Sequence, residues 1–414
     1  MAQALSRKID RCRLCGGQHL ETILDLGSQP PANSLRSSLS ETVPTVPLVL
    51  CRCDACGVVQ LTETIQPEFL FSQYVWVTGT SKGAQAYSQR FRDEMLKRVG
   101  GKAGFAVEVA SNDGTFLRAF KESGVKVLGV DPAQNIAAKA TADGIETVAE
   151  FFGIDAARKV SAKHGKAQVV FARNVLPHVP DPRDVIAGMS ECLADDGVGA
   201  IEFHRADTIV RELHYDSIYH EHFFYYALRD VEGMLNQTGL TAFDVMPSPI
   251  SGGSWVVYFA RTKRPATAAL AAARANEITL GLDKAEGWRA FATKCMAHRD
   301  AFTKMLREGR AMSKRILGYG ASARSSTLLN YCGIGPKDLD GVADKSDYKH
   351  DKFTAGTDLP IIAPEKAFKT PPDRVVLLAW NFTDEILDDM ETRFGWKGPV
   401  LLPLPGDPKW IRES

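Results

Sequence analysis

Tyr219-His220-Glu221-His222 packs a phenol, a carboxylate and two imidazoles into one short segment, just ahead of Phe223. Groups of this kind move protons at neutral pH. If the segment is extended, Tyr219 and Glu221 share one face and His220 and His222 the other. In a helix or irregular turn that division disappears, so the sequence leaves open which side chains converge. The plainer reading is a partly buried aromatic edge, because Phe224, Tyr225 and Tyr226 follow, and buried tyrosines and histidines are often only satisfied core groups. His178, in Asn174-Val175-Leu176-Pro177-His178, is a second candidate. It falls just beyond the C-terminal end of an expected strand, the edge at which open α/β sheets bind ligands. The alternative is a loop histidine bonded to backbone.

The elements that would position these groups are legible upstream. Val107-Glu108-Val109-Ala110-Ser111-Asn112-Asp113-Gly114 reads as a strand entering a glycine turn, with small residues that let backbone approach an adenosyl cofactor. The expected contacts are Glu108, Ala110, Ser111, Asn112 and Gly114. Gly129-Val130-Asp131-Pro132 ends the next strand, where the Asp131 carboxylate is placed to accept hydrogen bonds from ribose hydroxyls. Asn174, after a third strand, lines the same cleft. A nicotinamide site is disfavoured, because the first turn lacks GxGxxG. These segments point to S-adenosylmethionine and to a reaction that begins with removal of a proton.

Five of the eight cysteines fall in the first 56 residues. Cys12-x-x-Cys15 and Cys53-x-x-Cys56 each precede a glycine, Gly16 and Gly57, and supply four thiolates at a spacing suited to tetrahedral zinc. Four thiolates close the site, so the zinc is expected to be structural. Cys51 competes with Cys53 as ligand, and the CxxC spacing favours Cys53.

The chain of 414 residues is long enough for two or three domains. Its 50 basic and 50 acidic side chains cancel, which gives no support to a nucleic-acid or anionic-membrane partner. No apolar run suggests a membrane span or a signal peptide, so a cytoplasmic location is expected, with a small molecule as partner. The oligomeric state is not legible. Residues 1–75 are rich in Cys, Pro and turn formers; 76–262 alternate strands with helical segments; 263–310 form a helical connection; and 311–414 begin a second alternating unit. Strands are expected at 106–109, 127–130, 168–171, 198–203, 252–259, 315–320, 339–344 and 374–380.

Taken in order, Cys12-x-x-Cys15-Gly, Cys53-x-x-Cys56-Gly, Ser111-Asn112-Asp113-Gly114, Tyr219-His220-Glu221-His222, Gly318-Tyr319-Gly320-Ala321 and Leu378-Ala379-Trp380-Asn381 resemble the S-adenosylmethionine-dependent sugar C-methyltransferases over nearly the whole chain. The resemblance implies an α/β protein: a small zinc-binding N-terminal domain, a central class I methyltransferase Rossmann-like domain and a C-terminal Rossmann-like domain for a nucleotide-linked sugar. The substrate it implies is a keto-deoxysugar, methylated beside its ketone. His222 would be the general base, Tyr219 and His178 would hold the ketone oxygen, and Glu221 would orient an imidazole or bind a sugar hydroxyl. By the same resemblance Tyr74 would lie near the sugar, with Trp76 where a second phenol is expected, and His220 would be structural. Gly320, Ala321 and Arg324 would meet the diphosphate, with Arg324-Ser325 standing where the family often has Lys-Gly. Asp344 reads only weakly as a dinucleotide-binding acid. The rival readings are an O- or N-methyltransferase of another small metabolite and a non-catalytic cofactor-binding scaffold.

Overall fold

The computed structural model describes residues 5–66, 79 and 82–412. Residues 5–66 form strands and turns, in keeping with their lack of helical periodicity. β1 (Ser6–Lys8), β2 (Leu20–Gln29), β3 (Val46–Cys53), β4 (Val59–Leu61) and β5 (Glu63–Ile65) are antiparallel, with β1 paired to β5 and β2, β3 and β4 forming a sheet.

The central unit comprises β6 (Phe105–Val109), β7 (Lys126–Val130), β8 (Thr147–Val148), β9 (Ala167–Arg173), β10 (Leu193–His204), β11 (Phe224–Tyr225), β12 (Thr241–Ser248) and β13 (Ser254–Ala260). Seven of these make one sheet in the order β12-β13-β10-β9-β6-β7-β8. From β8 to β10 the strands run parallel, while β13 is antiparallel to both β10 and β12. Every residue of β6 is buried, as a strand covered on both faces requires. The chain winds outward from β6 to β8, then returns to β9 and β10 on the other side. The C-terminal ends of β6 and β9 therefore flank the switch point, where such sheets open a crevice.

β11 does not join this sheet. It pairs with β4, so the residues just after the Tyr219–His222 segment complete the N-terminal sheet.

Helices Ala268–Thr279 and Ala285–Ala311 form the expected connection. The last sheet holds β14 (Ile316–Tyr319), β15 (Val342–Ala343), β16 (Ile361–Ile362), β17 (Arg374–Leu377), β18 (Val400–Leu402) and β19 (Lys409–Arg412), in the order β16-β15-β14-β17-β18-β19. β19 is the antiparallel edge. Two expected strands are shorter than their apolar runs suggest. Only Val342–Ala343 pairs within 339–344, and Trp380 starts a 3-10 turn beyond β17. One apolar core joins Leu24, Leu48 and Leu50 of the N-terminal sheet to Trp288, Phe302, Leu317 and Leu328 further along the chain, so the N- and C-terminal sheets share packing.

Candidate active site

The zinc-knuckle cysteines are held by two tight turns. Gly16 donates its N–H to the Cys12 carbonyl and Gly57 to that of Cys53, with both glycines at positive φ (76° and 82°). The four sulfurs of Cys12, Cys15, Cys53 and Cys56 lie within 4.8 Å of one another. Cys12 and Cys56 are 3.7 Å apart, and Cys15 and Cys53 are 3.6 Å apart. These separations fit a tetrahedral thiolate site. The Gln60 amide donates to Cys12 Sγ at 3.0 Å and the Gly17 N–H to Cys15 Sγ at 3.4 Å, the outer hydrogen bonds such a site needs. Cys51 is not in the cluster. It is buried, and burial pushes its thiol up to about 12.

At the switch point the backbone takes unusual conformations. Ala110, Asn112 and Asn174 all have φ of 51°, and Gly114 has φ of 74°. Left-handed alanine and asparagine at the ends of two adjacent strands mark a strained, purposeful turn. Asp131 Oδ2 accepts the Asn112 N–H and Oδ1 the Ala133 N–H, both at 2.9 Å, which leaves its remaining lone pairs for a ligand. Burial raises this carboxyl against those two hydrogen bonds. The Ser111 Oγ and Glu108 Oε2 atoms are buried with no hydrogen-bond partner among the described residues. Burial also raises the Glu108 carboxyl well above the usual range. Orphaned buried oxygens at a strained turn suit the hydroxyl and ammonium groups of an adenosyl amino acid. Two supports escaped the sequence reading. Asp113 accepts the Gly79 N–H and the Thr115 hydroxyl, which ties down the turn. Arg173 pairs with the fully buried Glu202 at 2.7 Å while lying over Phe116.

The Tyr219–His222 segment is a turn, closed by the His222 N–H donating to the Tyr219 carbonyl at 2.9 Å. The turn resolves which groups meet. The Tyr219 phenol oxygen lies 2.9 Å from His222 Nε2, and the two rings are 4.2 Å apart between centroids. Hydrogen bonding to the Ser217 backbone works against burial and raises the value of the His222 ring. Burial, and then the nearby His178, hold His222 well below the usual imidazole value. It is half-buried.

His178 packs edge-on against His222, with centroids 4.6 Å apart. Its Nδ1 lies 2.9 Å from the Glu221 carbonyl oxygen, and burial pushes it down to about 4. It is therefore neutral at pH 7, with Nδ1 protonated and Nε2 an acceptor. A ring in that tautomer has no N–H left to donate to a ketone oxygen, against the role expected for it. The Glu221 carboxylate does not orient an imidazole either. It accepts the Asn33 amide at 2.6 Å, and burial raises its carboxyl against that bond. Asn33 comes from the loop between β2 and β3 and lines a small cavity with Ser322, Ser325, Tyr348 and Lys349. His220 turns inward and bonds the Val46 carbonyl, a structural role. Tyr74 and Trp76 lie outside the described residues.

The C-terminal glycine turn differs from expectation. Gly320, Ala321 and Ser322 spend their N–H groups on Ala343 O, Asp344 Oδ2 and Ser325 Oγ. Gly320 and Ala321 therefore have no donor to offer a diphosphate, and the Asp344 carboxylate at the turn is paired with Lys349 at 3.3 Å. Of the three residues expected to meet the diphosphate, Arg324 alone keeps uncommitted donors among the described residues.

A family model described as "C-methyltransferase C-terminal domain" matches residues 249–405, a zinc binding domain model matches 12–71, and a methyltransferase domain model matches 84–245. The chain is 32% identical over 413 residues to C-methyltransferase NovU of Streptomyces niveus, spanning 97% of each chain. The chain belongs to the C-methyltransferase family. It is an enzyme, a methyltransferase dependent on S-adenosylmethionine with a zinc-binding N-terminal unit, and the scaffold and O- or N-transfer readings fall away. Among solved structures, the magnesium protoporphyrin IX methyltransferase of Synechocystis PCC 6803 with bound SAM is 12% identical, covers 44% of this chain and 80% of its own, and has a TM-score of 0.34. The 1,6-didemethyltoxoflavin-N1-methyltransferase of Burkholderia thailandensis is 18% identical, covers 47% and 84%, and has a TM-score of 0.35. Among the described residues no helix is long and apolar enough to cross a membrane.

Proposed function

We propose that the enzyme methylates a nucleotide-linked keto-deoxysugar at the carbon beside its ketone. The observation that carries this reading is the Tyr219–His222 pair, an imidazole held well below its usual value with a phenol 2.9 Å from its Nε2. A C–H next to a carbonyl is acidic enough for a neutral imidazole once the developing enolate oxygen is held by a donor. His222 Nε2 takes that proton. The Tyr219 O–H turns from Nε2 to the ketone oxygen and bears its growing charge. His178 Nδ1, fixed on the Glu221 carbonyl, packs the base in place. Glu221, set by Asn33, binds a sugar hydroxyl.

S-adenosylmethionine, when bound, supplies an electrophilic methyl group that a carbanion can take. Glu108, Ala110, Ser111, Asn112, Gly114, Asp131 and Asn174 would hold it. Cys12, Cys15, Cys53 and Cys56 would hold a structural zinc. The Arg324 guanidinium takes the phosphoryl oxygens of the nucleotide leader. Tyr74 stays a candidate for the sugar pocket by resemblance alone.

The test is incubation with a nucleotide-linked keto-deoxysugar in deuterated water without cofactor. Exchange of the hydrogen beside the ketone, lost in His222→Asn, supports the reading. Methyl transfer to such a sugar with no exchange at any pH would overturn His222-driven enolisation.

A further inference from the structure

The 3-10 turn Tyr215–Ser217 is completely buried and lies just upstream of the base. The helix Ala323–Cys332 fastens it at three points. Thr327 Oγ1 donates to the Ile218 carbonyl at 2.9 Å, the Tyr215 hydroxyl lies 3.7 Å from Cys332 Sγ, and Arg324 Nε stands 3.7 Å from Asp216 Oδ2. That same Asp216 oxygen accepts the Trp380 indole N–H at 2.7 Å. The Arg324 guanidinium lies 4.8 Å from the centre of the Trp380 ring, so an indole and a carboxylate define its position together.

What this arrangement leaves unsatisfied is informative. The Arg324 side chain is only 12% exposed, yet Nη1 and Nη2 have no hydrogen-bond partner among the described residues, and neither has Asp216 Oδ1. Leaving buried donors on a charged group unpaired is costly, and a native protein keeps such a group where something else completes it. Nη1 lies 3.3 Å from where a Gly252 side chain would begin, so glycine leaves room for it. Gly252 and Trp380 border an open pocket of about 440 Å³ beside Arg324, whose lining also includes Thr383 and, farther along, the carboxylates Asp384 and Glu385, but not Arg324 itself. His204 and His214, which face each other at 3.3 Å beside Trp380, offer no second negative charge.

We propose that Asp216 is a positioning residue: its buried carboxylate, with the Trp380 indole, fixes the Arg324 guanidinium so that both terminal nitrogens present a fork to the phosphoryl oxygens of the substrate. This rests on the reading of Arg324 as the phosphate anchor. A lysine at 324 would need no such frame, because an ammonium is a point charge, whereas a guanidinium binds phosphate through oriented paired donors. Asp216 also precedes Ser217, whose carbonyl holds the His222 ring, so one turn carries the anchor and the base together.

A double-substitution cycle tests this. Asp216→Asn, Arg324→Gln and the pair are compared for affinity for inorganic diphosphate by calorimetry, and for kcat and KM where the wild type turns over a keto-sugar. Asp216→Asn should weaken diphosphate about tenfold and raise KM more than it lowers kcat, and the double variant should be no weaker than Arg324→Gln alone. A wild-type affinity for diphosphate unaffected by Asp216→Asn, losses that multiply in the double variant, or no diphosphate binding by the wild type would each overturn the proposal. S-adenosylhomocysteine affinity reports folding. Should Asp216→Asn lose it, Trp380→Phe, which removes only the indole donor, is read in the same cycle with the same expected and overturning outcomes. Coupling in diphosphate affinity without turnover of any keto-sugar would defeat the substrate reading and leave this one standing.

Discussion

The Tyr219 phenol oxygen and His222 Nε2, three residues apart on one turn, stand 2.9 Å from each other. The distance is that of a hydrogen bond between a phenol and an imidazole, and in the proposed reaction the two would act on neighbouring atoms of one substrate. Removing His222 as Ala or Asn should lower kcat by about 10²–10⁴-fold, and Tyr219→Phe by about 10²–10³-fold, with affinity for S-adenosylhomocysteine unchanged. Steady-state rates beside calorimetric binding check this. Near-normal rates in both His222 variants would remove it as base.

Acid should act on rate and on stability through the two imidazoles. As the proposed base His222 would have to be neutral, and burial holds it well below its usual value. The plot of kcat/KM against pH should therefore stay level through 6.5 and fall only at lower pH. For His178 the unfolded chain takes up a proton near 6.5 but the folded ring only near about 4. Between those values the unfolded state binds more protons, so the stability present at pH 7 is lost as pH falls. Urea unfolding across this window should have a shallower pH slope in His178→Asn. An equal slope would refute the assignment.

The four-sulfur cluster predicts which cysteines retain metal. Cys12→Ser or Cys56→Ser should release zinc and lower the thermal midpoint, while Cys51→Ala should keep about one zinc per chain. Elemental analysis of the purified variants decides it. Loss of metal from the Cys51 variant would reopen the ligand set.

The Arg173–Glu202 pair beneath the cofactor turn is buried on both sides, at 10% and 0% exposure. Glu202→Ala strands the guanidinium and should cost about 3–5 kcal/mol in chemical denaturation, whereas Glu202→Gln keeps an acceptor and should cost less.

The strands and the glycine turn after β6 were legible because buried parallel strands and tight turns restrict residue type locally. The zinc ligands were legible because thiolate spacing is local too. The pairing of Tyr219 with His222 was not, since it depends on a turn that no periodicity announces. The donor role of His178 failed on a tautomer set by a carbonyl 43 residues away in sequence. Asn33 and Asp216 were missed because their partners, Glu221 and Trp380, are 188 and 164 residues distant, and neither residue sits in a motif. The Gly320 and Ala321 donors failed because Ala343 and the Asp344 carboxylate compete for them, which only the folded turn reveals.

β11 places Phe224 and Tyr225 in the same sheet as β4, just beyond the knuckle that carries Cys53 and Cys56. A zinc held by the four thiolates would thus steady the sheet next to the proposed base segment, and chelation should lower turnover while affinity for S-adenosylhomocysteine is kept.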